Sequence, residues 1–298
     1  MPEFLHALWH ALEHSFLETL RLLPFLYLSY LLMEFLEHRS GDVAKNWLRR
    51  SGKVGPLVGG AMGVLPQCGF SAAATGLYAG RIITVGTLLS VYLSTSDEML
   101  PVLISRGAPL PFVLKILATK LVVGIAAGFA VDLVFRLIRK KRGAQLEPRI
   151  EELCEREHCG CGEHFALSAL WHTLRTAAFV LAVALALNLT VELLGGEDRL
   201  QALILNRPIL SNLLAAVVGL IPNCASSVVL TELYLEGVLS VGAMLSGLLV
   251  NAGVGLALLF RNNRPVWDSV RILVILWCIG VLVGIGIDLT PLGVFLGI

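Results

Sequence analysis

Apolar residues run along this chain in long blocks rather than in the one-faced or alternating patterns of a soluble domain. Blocks near residues 17–37, 82–104, 111–138, 166–194, 238–260 and 268–288 each reach about 20 residues, enough for a helix to cross roughly 30 Å of hydrocarbon. Two further apolar regions, 54–79 and 210–235, are interrupted at Leu65-Pro66 and Ile221-Pro222. Proline removes a backbone donor and disfavours helix in the residue before it, so each region predicts two half-helices around a break. Unpaired backbone survives at membrane depth only inside protein or against a water-filled cavity, which makes each break a candidate for a substrate pathway. A single proline would more simply kink a span.

The breaks come as a pair. Gly63-Val-Leu-Pro66-Gln-Cys68 aligns with Gly219-Leu-Ile-Pro222-Asn-Cys224, and the register continues without a gap through Ser71/Ser227, Thr75/Thr231, Tyr78/Tyr234, Gly86/Gly242 and Ser90/Ser246. Shared hydrophobicity matches scattered Leu and Val but does not align Pro, Cys, Tyr and Gly, so the chain is read as two homologous halves. Trp9-His10 and Trp171-His172 suggest that both halves begin alike.

Charge placement orients the halves. Lys and Arg concentrate at 39–53 and 136–149, and such loops lie on the cytoplasmic side. If 54–79 crossed fully, these loops would fall on opposite sides. If it enters and returns as a re-entrant hairpin, both are cytoplasmic, together with Arg261 and Arg264, while the N-terminus and Glu197-Asp198-Arg199 lie outside. The expected fold is therefore all-α and polytopic, with two inverted-topology repeats of three spanning helices and one broken or re-entrant hairpin each. The divisions are 1–16, an amphipathic segment; 17–142, the first repeat; 143–165, a cytosolic connector; and 166–298, the second repeat. The segment 1–16 lacks Lys and Arg, unlike a cleavable signal peptide. Its His6, His10 and His14 recur every fourth residue beside Leu5, Leu8, Trp9 and Leu12, the pattern of a helix lying in the membrane interface.

Composition agrees: 56% of residues are hydrophobic and 15% charged, too little polar surface for a dispersed soluble domain. The net charge of +1 and the absence of a basic, aromatic-interleaved face give no reason to expect nucleic acid. The lipid bilayer is the expected partner, in the inner cell membrane; a homodimer is allowed but not required. No HExxH, GxSxG, Walker or dinucleotide motif appears, so no enzymatic machinery is visible.

Candidate chemistry falls in three places. The hairpin tips offer Gln67, Cys68 and Ser71 from one half and Asn223, Cys224, Ser226 and Ser227 from the other. Thiolates suit soft ions or metalloids, and amide oxygens suit hard ions such as Mn2+; buried Cys also serves as a small hydrophobe. Asp97 and Glu98, after Ser94-Thr95-Ser96, fall within an apolar block, where a charge costs about 2.5–3.5 kcal/mol and usually faces a cavity or a partner. Lys120 is an available partner. Either these three groups snorkel to the interface, or Asp97 or Glu98 binds a cation or cycles a proton beside Lys120. Asn251 lies opposite Thr95 in the second half. Third, the connector holds Cys154, His158, Cys159, Cys161 and His164, donors preferred by Zn2+ and Cu+, at spacings of no zinc finger. It reads as a loose capture or sensing loop, or as a solvated linker.

In the paired Gly-x-x-Pro-x-Cys breaks and the Cys/His connector, the chain resembles the ten-segment heavy-metal exporters related to arsenical permeases, also labelled manganese transporters or arsenic efflux proteins. Counting each half-hairpin as a segment gives ten. The resemblance implies secondary export of a heavy-metal or metalloid ion, with the paired Cys in or near the pathway. No cofactor is required beyond a transported or regulatory metal ion. Two other readings stand: a carrier of a small organic or sulfur-containing solute held by backbone N–H groups at the tips, and a membrane metal sensor that transports nothing.

Overall fold

A computed structural model describes residues 54–65, 68–96, 98–142, 208–223, 225–263 and 265–296, with short helical pieces inside 16–31 and 170–185; Cys68 is described by its backbone alone. The described residues contain helices and turns and no strand. The helices are α1 (Val54–Gly63), α2 (Cys68–Ala79), α3 (Val85–Ser94), α4 (Met99–Ser105), α5 (Leu110–Arg142), α6 (Pro208–Gly219), α7 (Ala225–Leu235), α8 (Val241–Val250), α9 (Val254–Asn262), α10 (Val266–Leu289) and α11 (Leu292–Leu296). Among the described residues, three stretches are long and apolar enough to cross a membrane: Leu110–Ile138, Val241–Asn262 and Val266–Leu289. The interruptions at the two prolines fall between α1 and α2 and between α6 and α7, as the sequence predicts.

Two further interruptions lie outside that expectation. The apolar blocks 82–104 and 238–260 are discontinuous, because α3 stops at Ser94 before α4 and α8 stops at Val250 before α9. Local side chains account for both. Thr95 and Ser96 turn their hydroxyls back onto the Val91 and Ser94 carbonyls, at 2.7 and 3.2 Å, and such bonds compete with helix continuation. Asn251 Oδ1 accepts from Gly253 N at 2.9 Å, an Asx turn, and Gly253 has φ 52°, which glycine adopts without steric cost.

The same contacts occur twice, at equivalent positions of the two halves. Thr84 and Ser240 cap α3 and α8 by accepting from the Thr87 and Ala243 amides. Asp132 of α5 accepts from Gly86 N and from the Thr84 hydroxyl at 2.8 and 2.6 Å; Asp288 of α10 accepts from Gly242 N and the Ser240 hydroxyl at 3.0 and 2.7 Å. Ser90 donates to the Pro56 carbonyl, and Ser246 donates to that of Asn212. Small residues four apart let the helices touch: a Cβ on Gly128 would strike the Gly86 carbonyl, and one on Gly284 the Gly242 carbonyl. Close backbone approach of this kind holds helices together where lipid gives no hydrophobic drive between them.

These contacts also fix direction. Gly59 lies against Thr87 and Gly63 against Ser94, so α1 runs alongside α3 in the same sense. The chain then returns through α2 to the turn before α3. In the second half α6 runs with α8 in the same way, with Gly219 against the Gly247 carbonyl, and α7 leads back to the start of α8. Each returning arm rests on the other half. Ser71 of α2 packs on Gly255 of α9, and Thr75 and Tyr92 hydroxyls both reach the Gly255 carbonyl, at 3.2 and 3.1 Å. Arg106, just past α4, pairs with Glu232 of α7.

Gly219→Ala places a methyl on the Gly247 carbonyl, and overpacking of this kind costs about 1–3 kcal/mol. A methyl on Gly286 of α10 would meet nothing within 4 Å. Thermal unfolding in detergent should therefore report a lower Tm for Gly219→Ala and no loss for Gly286→Ala.

Candidate functional site

The breaks after α3 and α8 meet between the halves. Thr95, Ser96 and Met99 from the first break, Lys120 from α5, Leu248 and Asn251 from the second break, and Ser227 from the first turn of α7 line one recess, too tight for a water molecule. Thr95 and Asn251 are equivalent residues of the two halves, so the recess lies where the repeat relates the chain to itself.

Its polar groups are out of solvent: Lys120 is 1% exposed and Asn251 3%. Lys120 Nζ donates to the Leu248 carbonyl at 2.7 Å. That carbonyl belongs to the last turn of α8, whose acceptors lose their helical partners at the break, and a cation suits the negative end of a helix. A first-half side chain thus satisfies a second-half helix end. Because Gly253 N–H fixes Asn251 Oδ1 as an acceptor, the remaining end of that carboxamide is the Nδ2 donor, which has no hydrogen-bond partner among the described residues. The Thr95 and Ser96 hydrogens are committed to backbone carbonyls, which leaves their oxygen lone pairs for whatever enters.

The residues singled out in the sequence divide. Ser227, Asn251 and Lys120 line the recess. Ser71 is buried against Gly255. Asn223 Oδ1 caps α7 through Ala225 N at 3.2 Å, and Ser226 donates to the Asn223 carbonyl at 2.7 Å, so both order the start of α7. Glu98 is half-buried at the start of α4. Gln67, Cys224, Asp97, the Cys68 side chain, the His6, His10 and His14 row and the connector donors Cys154, His158, Cys159, Cys161 and His164 lie outside the described residues. Among the described residues, no three His, Cys, Asp or Glu groups come together to hold a metal.

Sequence reasoning missed Thr95, Ser96, Met99 and Leu248 as lining residues. A signal for the break was present: Ser94-Thr95-Ser96 aligns with Val250-Asn251-Ala252, followed by Gly253, within apolar blocks, and Ser, Thr, Asn and Gly favour turns over helix interiors.

A family model described as "Putative, 10TM heavy-metal exporter" matches residues 10–197. No curated protein and no solved structure matches the chain.

Proposed function

Because the chain belongs to the ten-transmembrane heavy-metal exporter family, and is thus a multi-pass membrane protein, we propose that it carries a heavy-metal or metalloid ion by secondary transport through the junction between its halves. The observation that carries this reading is the recess where two broken helices meet, because broken helices at a repeat interface are where transporters hold substrates and coupling ions.

In this reading the segments 54–79 and 210–235 are re-entrant hairpins and the halves have inverted topology. Two features support it: α1 runs with α3 while α2 returns to α3's start, and the equivalent arms of the second half do the same. Orientation follows. The turn before α3, the α9–α10 junction and the basic end of α5 share one end of the molecule, joined by Arg81–Asp268 and Asp132–Gly86. Their Lys and Arg make that end cytoplasmic, with the N-terminus outside and the 143–165 connector inside. Cys68, Cys224, Gln67 and Asn223 meet the ion at the tips; Asp97 or Glu98, with Lys120, carries coupling; and the connector's Cys and His capture metal on the inner side. Lys120 acts as a tethered cation on the Leu248 carbonyl, which the passing ion displaces.

The test is flux in liposomes against Mn2+, Zn2+, Cd2+, Cu+ and arsenite, read by elemental analysis. Movement of at least one ion is expected, lost in the Cys68→Ser/Cys224→Ser double variant. No movement of any of them would overturn the reading. A second reading, carriage of a small organic or sulfur-containing solute, is favoured by Asn251 Nδ2, which has no partner among the described residues and suits a ligand with an acceptor atom. Flux of such a solute into the same liposomes, with none of the ions moved, would select it.

A further inference from the structure

Where α2 of the first half meets α9 of the second, two buried hydroxyls have more acceptors than hydrogens. Thr75 of α2 and Tyr92 of α3 are both 0% exposed, and their oxygens lie 2.5 Å apart. At that separation one of their two hydrogens must lie between them. The other has a choice of two backbone carbonyls. Thr75 is 2.7 Å from that of Ser71, in its own helix, and 3.2 Å from that of Gly255, in α9. Tyr92 is 3.1 Å from the Gly255 carbonyl. The contact they straddle is backbone against backbone, since a Cβ on Gly255 would meet the Ser71 main chain at 3.1 Å.

Two arrangements satisfy both hydroxyls. In the first, Thr75 donates to Tyr92 and Tyr92 donates to Gly255, so the chain of bonds crosses from one half to the other. In the second, Tyr92 donates to Thr75 and Thr75 donates to Ser71, and every bond stays within the first half. The number of bonds is the same in both, and each carbonyl spends its second lone pair, the first being used along its helix. In the second half Thr231, the equivalent of Thr75, donates to the Ser227 carbonyl of its own helix at 2.7 Å. Leu248 stands there at the position of Tyr92, so that threonine has no tyrosine to relay through.

We infer that Thr75 and Tyr92 form a releasable catch between the halves, bonded to Gly255 while α2 and α9 are together and turned back onto Ser71 when they part. Opening a buried polar contact normally leaves a donor unsatisfied. Here the second acceptor is already in place, so α9 can leave α2 without orphaning a hydroxyl. The device concerns how the halves part, whatever they carry.

Hydrogen exchange of the whole protein in nanodiscs tests this without any substrate, because exchange of the amides of 255–262 reports how often α9 leaves α2. Thr75→Val takes away the relay, so Tyr92 has no acceptor once α9 departs. Exchange of 255–262 should slow at least fivefold, the scale of one buried donor left unsatisfied. Tyr92→Phe should stay within twofold of the unmodified protein, because Thr75 keeps its bond to Ser71 in both arrangements. Thr75→Ser, which retains the hydroxyl, should also match it, which separates loss of the relay from a change in packing. Thr231→Val should slow nothing. Exchange of 255–262 that is unchanged or faster in Thr75→Val, or more than twofold faster in Tyr92→Phe, overturns the inference. If Thr75→Val fails to fold, Tyr92→Phe decides alone.

Discussion

Lys120→Met should lower ion flux at least tenfold, about 1.4 kcal/mol at the rate-limiting barrier, in protein that still purifies as a folded species. Lys120 lies ten residues into α5, roughly 15 Å along the helix axis, and it is fully buried. Its ammonium rests on a carbonyl released by the break after Val250. In the proposed mechanism an entering cation would displace the ammonium, exchanging one positive charge for another at that carbonyl, and the return of Lys120 would expel the ion and reset the site. Methionine keeps the length and the apolar stem but cannot return as a charge. Stability should fall by about 1–3 kcal/mol, because the Leu248 carbonyl is left buried without its donor. Flux within twofold of the unmodified protein removes Lys120 from the mechanism.

The second large effect concerns stability. Asp132→Ala strips the acceptor from two groups at once, the Gly86 amide and the Thr84 hydroxyl, at the N-terminus of a helix that is buried along its whole length. Leaving buried donors unsatisfied costs about 1–3 kcal/mol for each, and loss of a carboxylate from a helix N-terminus adds to it. A destabilisation of about 2–4 kcal/mol follows, read as a lower unfolding midpoint. Asp288→Ala should cost less, although it strips three donors, the Gly242 amide, the Ser240 hydroxyl and the Asn212 carboxamide, because Asp288 is less buried and water can replace the lost bonds. Equal effects at the two positions would argue that burial does not set the size of the loss.

Much of this architecture is legible in the sequence, because membrane-spanning blocks and a duplicated Pro-x-Cys element depend on residue types that few other structures require. The equivalence of the halves reaches single hydrogen bonds: the aligned pairs Ser90/Ser246 and Gly86/Gly242 make matching contacts. The breaks at 95–98 and 251–253 are hidden because average hydropathy stays high across them. Val241–Asn262 still reads as one span, and a Ser, Thr or Asn in an apolar block signals a polar contact as readily as a helix end. Lys120 reads from the sequence as a charge needing a partner, but not as the cap of a helix in the other half. A bond to a backbone carbonyl has no counterpart in the side-chain pattern, so pairing acids with bases along the chain does not find it.

The exchange of arms between the halves bears on how the protein is made. With Ser71 and Thr75 resting on Gly255, and Glu232 held by Arg106, each half leaves an uncovered polar face until its sibling has been synthesised. A chain cut within the connector should therefore regain its structure when the two pieces are produced together, and each piece alone should be cleared as an orphan.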